Sequence, residues 1–147
     1  MKAIISTTIK TSPEKMWNEV QKISSLLHVA APLLKFRSTD NGNLPDQWSI
    51  GKEYPLALYF LGIIPLGKHV IRISKIDSHN MTILSNEFGH LTNTWNHLIK
   101  IERIEEEKIK YTDEIDIEAG PLTIGIWLFS QFFYRHRQRR WKALLKN

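Results

Sequence analysis

Four ionisable side chains interrupt rows of residues that are otherwise apolar. His69, His97 and Asp113 each lie in a stretch with strand-like alternation, and Arg137 lies in a stretch with helix-like spacing. A buried ionisable group is costly unless it is paired, so each row either faces water at that point or the groups contact one another. Three amphipathic aromatic residues lie near them: Tyr54, Trp95 and Tyr111. The sequence therefore predicts a polar cluster on the inner side of the fold.

Two pairings within this cluster are compatible with the sequence. Asp113 with Arg137 is expected first, because the strand of Asp113 leads directly into the helix of Arg137 and a guanidinium can hold a carboxylate by two hydrogen bonds. A contact between His97 and Asp113 on adjacent strands is the alternative, and it would lower the pKa of the aspartate. In that arrangement His97 or Asp113 is a candidate general acid–base.

Other chemistries lack the residues that they need. The six histidines form no HExxH or similar motif and the chain has no cysteine, so we expect no bound metal. The patterns GxGxxG, GxxxxGK[ST] and GxSxG are absent, and we expect no cofactor. The run Arg135–Arg140 is basic, but the neighbouring aromatic residues face the predicted core and cannot stack on bases, so nucleic acid is not an expected partner.

Length and composition favour one domain over residues 1–147. The chain has 147 residues, 42% of them hydrophobic, and can bury a substantial core. No apolar run reaches the roughly 18 residues of a membrane span, and the N-terminus lacks the apolar core of a signal peptide. With no cysteine, the expected location is the cytoplasm.

Alternation and capping signals predict the order of the elements. Ser12-Pro13-Glu14 opens a helix, with a serine cap and proline at the first helical position. Asp40-Asn41-Gly42-Asn43 predicts a turn within a surface loop between Phe36 and Trp48. The remaining predicted elements are a first strand over Lys2–Lys10, a second helix over Ser24–Val29 and strands over Glu53–Phe60, His69–Ile76, Met81–Phe88, Thr94–Ile104 and Ile109–Ile117.

A long amphipathic helix is predicted from Pro121 to Lys146. Its apolar face contains Leu122, Ile126, Phe129, Phe133, Tyr134, Trp141 and Leu144, and its polar face contains Gln131, Arg135, Gln138, Arg139, Lys142 and Lys146. Arg137 and Arg140 project onto the apolar side. Strands followed by a terminal helix predict an α+β fold, with a curved antiparallel sheet of about six or seven strands wrapped around the C-terminal helix and a cavity between them.

Four short motifs resemble a known superfamily. They are Thr94-Trp95-Asn96-His97, Tyr111-Thr112-Asp113-Glu114-Ile115, Gly120-Pro121-Leu122 and Phe133-Tyr134-Arg135-His136-Arg137. Together with the element order, they resemble a bacterial ligand-binding subgroup of the START-like (SRPBCC) superfamily, which includes polyketide cyclases and proteins similar to the birch-pollen allergen. The resemblance implies a helix-grip fold over nearly the whole chain. It also implies a small hydrophobic or amphipathic ligand, lipid-, polyketide- or aromatic-like, beneath the long helix.

Ligand binding without a cofactor is the first functional hypothesis. The apolar wall would come from Trp17, Leu58, Phe60, Trp95, Tyr111, Phe129 and Phe133. A polar end of the ligand would be oriented by His97, Asp113 and Arg137, with further contributions from Tyr54 and His69.

Two alternatives stay open. One is a cyclase or dehydratase with His97 or Asp113 as general acid–base; Ile99 stands where the subgroup has a second histidine, which favours binding over catalysis. The other is an interaction protein that meets an acidic partner or membrane surface through the basic face of the last helix: Arg135, Arg139, Lys142 and Lys146. Apolar residues on the outward side of the strands are compatible with a homodimer.

Overall fold

The described part of the chain forms a seven-stranded antiparallel sheet and three α-helices. The computed structural model describes residues 1–39 and 43–146. The strands are β1 (Lys2–Ile9), β2 (Leu34–Ser38), β3 (Glu53–Phe60), β4 (Ile64–Asp77), β5 (Thr82–Gly89), β6 (Thr94–Glu105) and β7 (Lys108–Glu118). The helices are α1 (Pro13–Val20), α2 (Ile23–Ala30) and α3 (Thr123–Leu145), the last preceded by a 3₁₀ turn over Gly120–Leu122.

The sheet is a meander whose first strand returns to pair with its last. The strand order is β1-β7-β6-β5-β4-β3-β2, and each neighbouring pair is antiparallel. The connection from β1 to β2 carries the two short helices. The first of them begins as its sequence predicts, because the hydroxyl of Ser12 accepts a hydrogen bond from the backbone nitrogen of Lys15 at 3.2 Å and Pro13 follows the cap.

The alternation of β6 and β7 determines which residues face inward. Trp95, His97 and Ile99 on β6 are buried, and the residues between them are partly exposed. On β7 the buried alternate positions include Tyr111 and Asp113. Two-residue periodicity therefore places the ionisable residues of both strands on the inner face of the sheet.

Helix α3 lies across the inner face and packs mainly on β1, β7 and α2. Near its start, the indole nitrogen of Trp127 donates to the carbonyl oxygen of Lys2 at 2.7 Å. Near its end, Trp141 is fully buried in an apolar cluster with Ile109 and Tyr111. The helix is thus fixed to the sheet at both ends.

The structure confirms the predicted α+β helix-grip architecture and revises several boundaries. The predicted loop from Phe36 begins later, because Leu34–Ser38 forms an edge strand paired with β3. Strand β4 starts at Ile64, five residues before the predicted start at His69. The predicted turn at Asp40-Asn41-Gly42-Asn43 lies, for its first three residues, outside the described part of the chain.

Two residues of α3 lie on the face opposite to the one predicted. Gln138 was expected on the polar face but is only 4% exposed, and Leu144 was expected on the apolar face but is 39% exposed. Trp141 and Leu145, four residues apart, are the buried positions in the last turns of the helix, and Leu144 is turned towards solvent.

Candidate functional site

A cavity of about 280 Å³ lies between α3 and the inner face of the sheet. Its walls come from α2, β2 to β6, the connecting residues Trp48, Leu91 and Thr92, and α3 as far as Arg137. Most of the lining side chains are apolar, among them Leu58, Phe60, Ile71, Phe129 and Phe133. The lining includes two exposed residues, Ile64 at the start of β4 and Gly125 near the start of α3. The cavity therefore reaches the surface between these two elements.

Apart from Thr92 in the β5–β6 turn, six polar side chains interrupt the apolar lining, and they are His69, Ser85, Glu87, His97, Tyr134 and Arg137. Each is contributed by a neighbouring strand or by α3, and together they form a polar cluster within the cavity. Apolar pockets with a few convergent polar groups are typical of ligand sites, and their usual volume is roughly 300–1,000 Å³. The cavity, at about 280 Å³, is slightly smaller than the lower limit of that range.

The first histidine–carboxylate pair connects β4 and β5. His69 Nε2 lies 2.8 Å from Glu87 Oε1, and the hydroxyl of Ser85 donates to Glu87 Oε2 at 2.6 Å. In the register His69 faces Gly89, so the pair is diagonal. Burial opposes ionisation of Glu87, but the combined effects of His69, His97 and Ser85, with the hydrogen bond to His69 the strongest of them, outweigh it and lower the pKa of the carboxyl group.

Gly89 is required at this crossing for steric reasons. A Cβ atom there would lie 2.3 Å from the carbonyl oxygen of Lys68 and 2.9 Å from the Cα of His69. The absence of a side chain therefore allows β4 and β5 to approach closely beside the His69–Glu87 pair.

The second pair connects β6 and β7 with the same diagonal geometry. His97 Nε2 lies 2.7 Å from Asp113 Oδ1, which also accepts the hydroxyl of Tyr111 at 2.9 Å. Asp113 Oδ2 accepts the side-chain amide of Gln138 at 3.0 Å. Burial raises the pKa of Asp113, but the hydrogen bond from His97 and the charge of Arg137 outweigh this effect, so the carboxylate is ionised with its pKa below the usual value.

The pairing of Asp113 with Arg137 that the sequence favoured does not form. Among the described residues, no hydrogen bond or ion pair joins these two side chains, and the alternative contact with His97 is present. Gln138, the next residue of the helix, donates a hydrogen bond to Asp113 instead, because the orientation of α3 about its own axis turns this side chain towards β1 and β7.

Arg137 instead lies under aromatic rings in the cavity lining. It is 4% exposed, and its Cζ atom lies 5.0 Å from the ring centre of Tyr134 and 5.9 Å from that of Phe133. Burial disfavours its charge, but nearby Tyr111 and Asp113 outweigh burial and raise the pKa of Arg137. The guanidinium is therefore a permanent positive charge inside the protein.

Tyr134 links the helix to β6. Its hydroxyl accepts a buried hydrogen bond from the indole nitrogen of Trp95 at 2.9 Å, and its ring centre lies 4.9 Å from that of His97. Burial raises the pKa of Tyr134 far above the ordinary value, so this hydroxyl is protonated and can act as a donor.

The cavity brings together most of the predicted ligand-binding residues. Those that line it are Leu58, Phe60, His69, Trp95, His97, Phe129, Phe133 and Arg137. The other four predicted residues, Trp17, Tyr54, Tyr111 and Asp113, are not part of the described lining.

These four residues lie outside the cavity lining. Trp17 of α1 packs against the apolar cluster that contains Ile109 and Trp141. Tyr54 lies edge-on to Trp48, and its hydroxyl accepts the backbone nitrogen of Ser49 at 2.9 Å. Tyr111 and Asp113 lie behind His97, on the side away from the cavity space, where both are fully buried.

Sequence reasoning missed Ser85, Glu87 and Tyr134 as polar members of the site. The signal for the first two was present, because Ile83, Ser85 and Glu87 alternate on β5 and share one face of the sheet. Tyr134 was assigned to the apolar face of the helix, which is correct for its ring, but its hydroxyl faces the polar cluster.

The basic face of α3 is exposed as predicted. Arg135, Arg139, Lys142 and Lys146 point to solvent.

Within residues 1–39 and 43–146, no group of three or more possible metal-ligating side chains comes together. Over the same ranges, no helix is both long enough and apolar enough to cross a membrane.

Solved structures place this architecture in the START-like fold. A START superfamily protein from Mycobacterium smegmatis superposes with a TM-score of 0.73 at 9% identity, covering 99% of this chain and 97% of the other. Protein CV1439 from Chromobacterium violaceum gives 0.78 at 9% identity, with 99% and 97% coverage. Ginseng major latex-like protein 151 from Panax ginseng gives 0.68 at 14% identity, with 100% and 98% coverage. At these identities the likeness concerns the fold alone.

Within this fold, the sequence over residues 7–145 matches a family described as "Domain of unknown function (DUF8410)". The chain belongs to that family. None of the curated proteins matches its sequence.

Proposed function

We propose that the protein binds a hydrophobic or amphipathic small molecule in the cavity beneath α3, without a cofactor. The observation that carries this proposal is the cavity itself, a space of about 280 Å³ with apolar walls and a cluster of buried polar groups. A packed core has few voids larger than a water molecule, so a space of this size beneath a helix is an exception to normal packing. Lipid-, polyketide- and aromatic-like molecules have the matching chemistry.

A cavity-filling variant tests this proposal. Leu58 belongs to the apolar part of the lining, and Leu58→Trp would fill the space. Native mass spectrometry and thermal shift against a library of lipids, aromatic metabolites and polyketides should find ligands for the wild-type protein. Leu58→Trp should lose them while keeping its circular dichroism spectrum.

The matched control is Leu98→Trp, because Leu98 alternates with the buried His97 and Ile99 and lies on the outer face of β6. This variant should bind like the wild type. Equal binding by Leu58→Trp, or a library without any ligand for the wild type, would contradict the proposal.

An enzymatic role is the second candidate, favoured by the contact between His97 and Asp113. His97 lines the cavity, whereas Asp113 lies behind it and fixes the orientation of the imidazole. This is the arrangement of a general acid–base whose second nitrogen can face a ligand. A cyclase or dehydratase would use it to move a proton at a carbonyl or hydroxyl group of the bound molecule.

Turnover separates the two candidates. Each ligand found above is incubated with the wild type and with His97→Gln, and the products are followed by mass spectrometry. A product that forms only with the wild type supports catalysis. Recovery of every ligand unchanged would leave binding as the function.

The homodimer and the cytoplasmic location stay predictions. Light scattering after size-exclusion chromatography checks the first, and fractionation of cells that produce the protein checks the second.

A further inference from the structure

Arg137 has donor groups that no acceptor of the protein satisfies. Its Nε and Nη2 atoms are buried and have no hydrogen-bond partner among the described residues. The side chain is 96% buried by its 4% exposure, and it belongs to the cavity lining. A buried guanidinium without acceptors is costly, since charged groups in protein interiors are normally paired.

The nearby carboxylates are already engaged by other donors. Asp113 accepts from His97, Tyr111 and Gln138. Glu87 accepts from His69 and Ser85. Both acids contribute long-range attraction to Arg137, but neither supplies an acceptor to its nitrogen atoms. The missing acceptor must therefore come from outside the chain.

The unpaired nitrogens also indicate the shape of that acceptor. Nε and Nη2 lie along one edge of the planar guanidinium, and two parallel N–H groups on such an edge match the two oxygens of a carboxylate. The rings of Phe133 and Tyr134 cover the guanidinium, and the small cavity leaves little room for a bulkier group. A planar anion on an apolar body fits these constraints.

We propose that the ligand is a carboxylic acid whose carboxylate pairs with Arg137 and whose apolar body occupies the wall formed by Leu58, Phe60 and Phe129. This inference rests on the proposed binding function, since it assigns the charged end of the same ligand. The hydroxyl of Tyr134, which is neutral, is a further donor in the cavity lining, and the ring that carries it lies 5.0 Å from the Cζ atom of Arg137.

Matched acids and amides test the assignment. The probes are straight-chain acids of six to twelve carbons with their primary amides, and cinnamic and naphthoic acids with theirs, titrated calorimetrically at pH 7.5, where the acids are ionised. The wild type should bind each fitting acid at least about tenfold more tightly than its amide, because charge-assisted hydrogen bonds are lost with the amide. The straight-chain probes represent a lipid-like acid, and the cinnamic and naphthoic probes represent an aromatic acid. Comparing the two sets distinguishes these two sources of the carboxylate.

The variants localise the preference. Arg137→Gln should bring the acid-to-amide ratio to within about twofold while the amide affinity stays nearly unchanged. Arg139→Gln, at an exposed position on the same helix, should keep the wild-type ratio. If acids and amides bind the wild type equally, or if Arg137→Gln keeps the preference, the carboxylate assignment is wrong and the binding function stands. If no probe binds, the carboxylate assignment fails, and the library screen decides the binding function separately.

Thermal stability with and without a ligand provides a second measurement. Octanoic acid should raise the melting temperature of the wild type and leave that of Arg137→Met nearly unchanged, because the variant lacks the two unpaired donors that would hold the carboxylate. Equal shifts in the two proteins would contradict the inference.

Discussion

Gln138 of α3 donates to Asp113 of β7 and to Ile5 of β1 with the same side-chain nitrogen, at 3.0 Å from Asp113 Oδ2 and 2.7 Å from the carbonyl oxygen of Ile5. Ile5 and Asp113 are opposite each other in the register of β1 and β7. One amide therefore joins the helix to both strands at a single point, and it leaves the neighbouring Arg137 free of Asp113.

Replacing this amide by a group of similar size should destabilise the protein. Gln138→Leu leaves the oxygen atoms of Asp113 and Ile5 without this donor in a buried place, and we expect a loss of about 1–3 kcal/mol in the free energy of unfolding. Urea denaturation measures it. Gln131→Leu, on the same helix but partly exposed, should change stability by less than about 0.5 kcal/mol. Equal losses in both variants would show that the contact with the strands is not the cause.

The hydroxyl of Tyr134 should contribute in the same way. Tyr134→Phe removes the acceptor of the buried Trp95 nitrogen, so we expect a loss of about 1–2 kcal/mol and little change in the fold. Denaturation followed by tryptophan fluorescence reports both the stability and the surroundings of Trp95. Tyr59→Phe, at a partly exposed position on β3, is the control, and an effect as large as that of Tyr134→Phe would argue against the hydrogen bond as the source.

Two glycines should respond in opposite directions to the addition of a methyl group. In Gly89→Ala the new Cβ meets backbone atoms of Lys68 and His69, so one strand must shift. We expect the free energy of unfolding to fall by about 1–3 kcal/mol, as in other overpacked cores. In Gly125→Ala nothing lies within 4 Å of the new Cβ, and the helix should become about 0.5–1 kcal/mol more stable. Thermal melts of the two variants provide the comparison.

The stability of the protein should fall in acid because of Glu87. Its pKa is lowered in the folded state from an ordinary value of 4.5, so its ionised form stabilises the fold above about pH 4.5, and this contribution is lost as the pH falls through the lower folded value. In this window the unfolded chain binds more protons, and stability increases with pH.

Glu87→Gln should flatten this dependence. The slope of the unfolding free energy against pH should decrease by up to about 1.4 kcal/mol per pH unit below pH 4.5. Urea titrations at a series of acid pH values measure the slope. Glu106→Gln removes one charge at an exposed turn position and serves as the control. An unchanged slope in Glu87→Gln would mean that other carboxylates cause the acid sensitivity.

Much of the fold could be predicted because its signals are local. Ser12 and Pro13 start α1 through their own backbone chemistry, and the alternation around His97 fixes the inner face of β6 without reference to the rest of the chain. Edge strand β2 was missed because its five residues are too few to show a clear period.

The site could be predicted only in part because its contacts depend on register and helix rotation. His97 reaches Asp113 diagonally, since its direct neighbour in the register is Ile115, and no local pattern fixes that offset. Arg137 and Gln138 are consecutive on α3, and a modest rotation of the helix decides which of them meets the sheet. The types of the residues indicated a polar cluster, but the partners within it required the tertiary structure.

The packing of α3 on one side of the sheet affects how readily the backbone hydrogen bonds of the two halves of the sheet open. The helix contacts mainly β1, β7 and α2, whereas β3, β4 and β5 face the cavity across from it. Backbone amides in the cavity-facing half of the sheet should therefore exchange with deuterium faster than those of β7, because fewer packed atoms resist their transient opening. An occupant of the cavity would supply the missing contacts, and exchange in the two halves would become more alike.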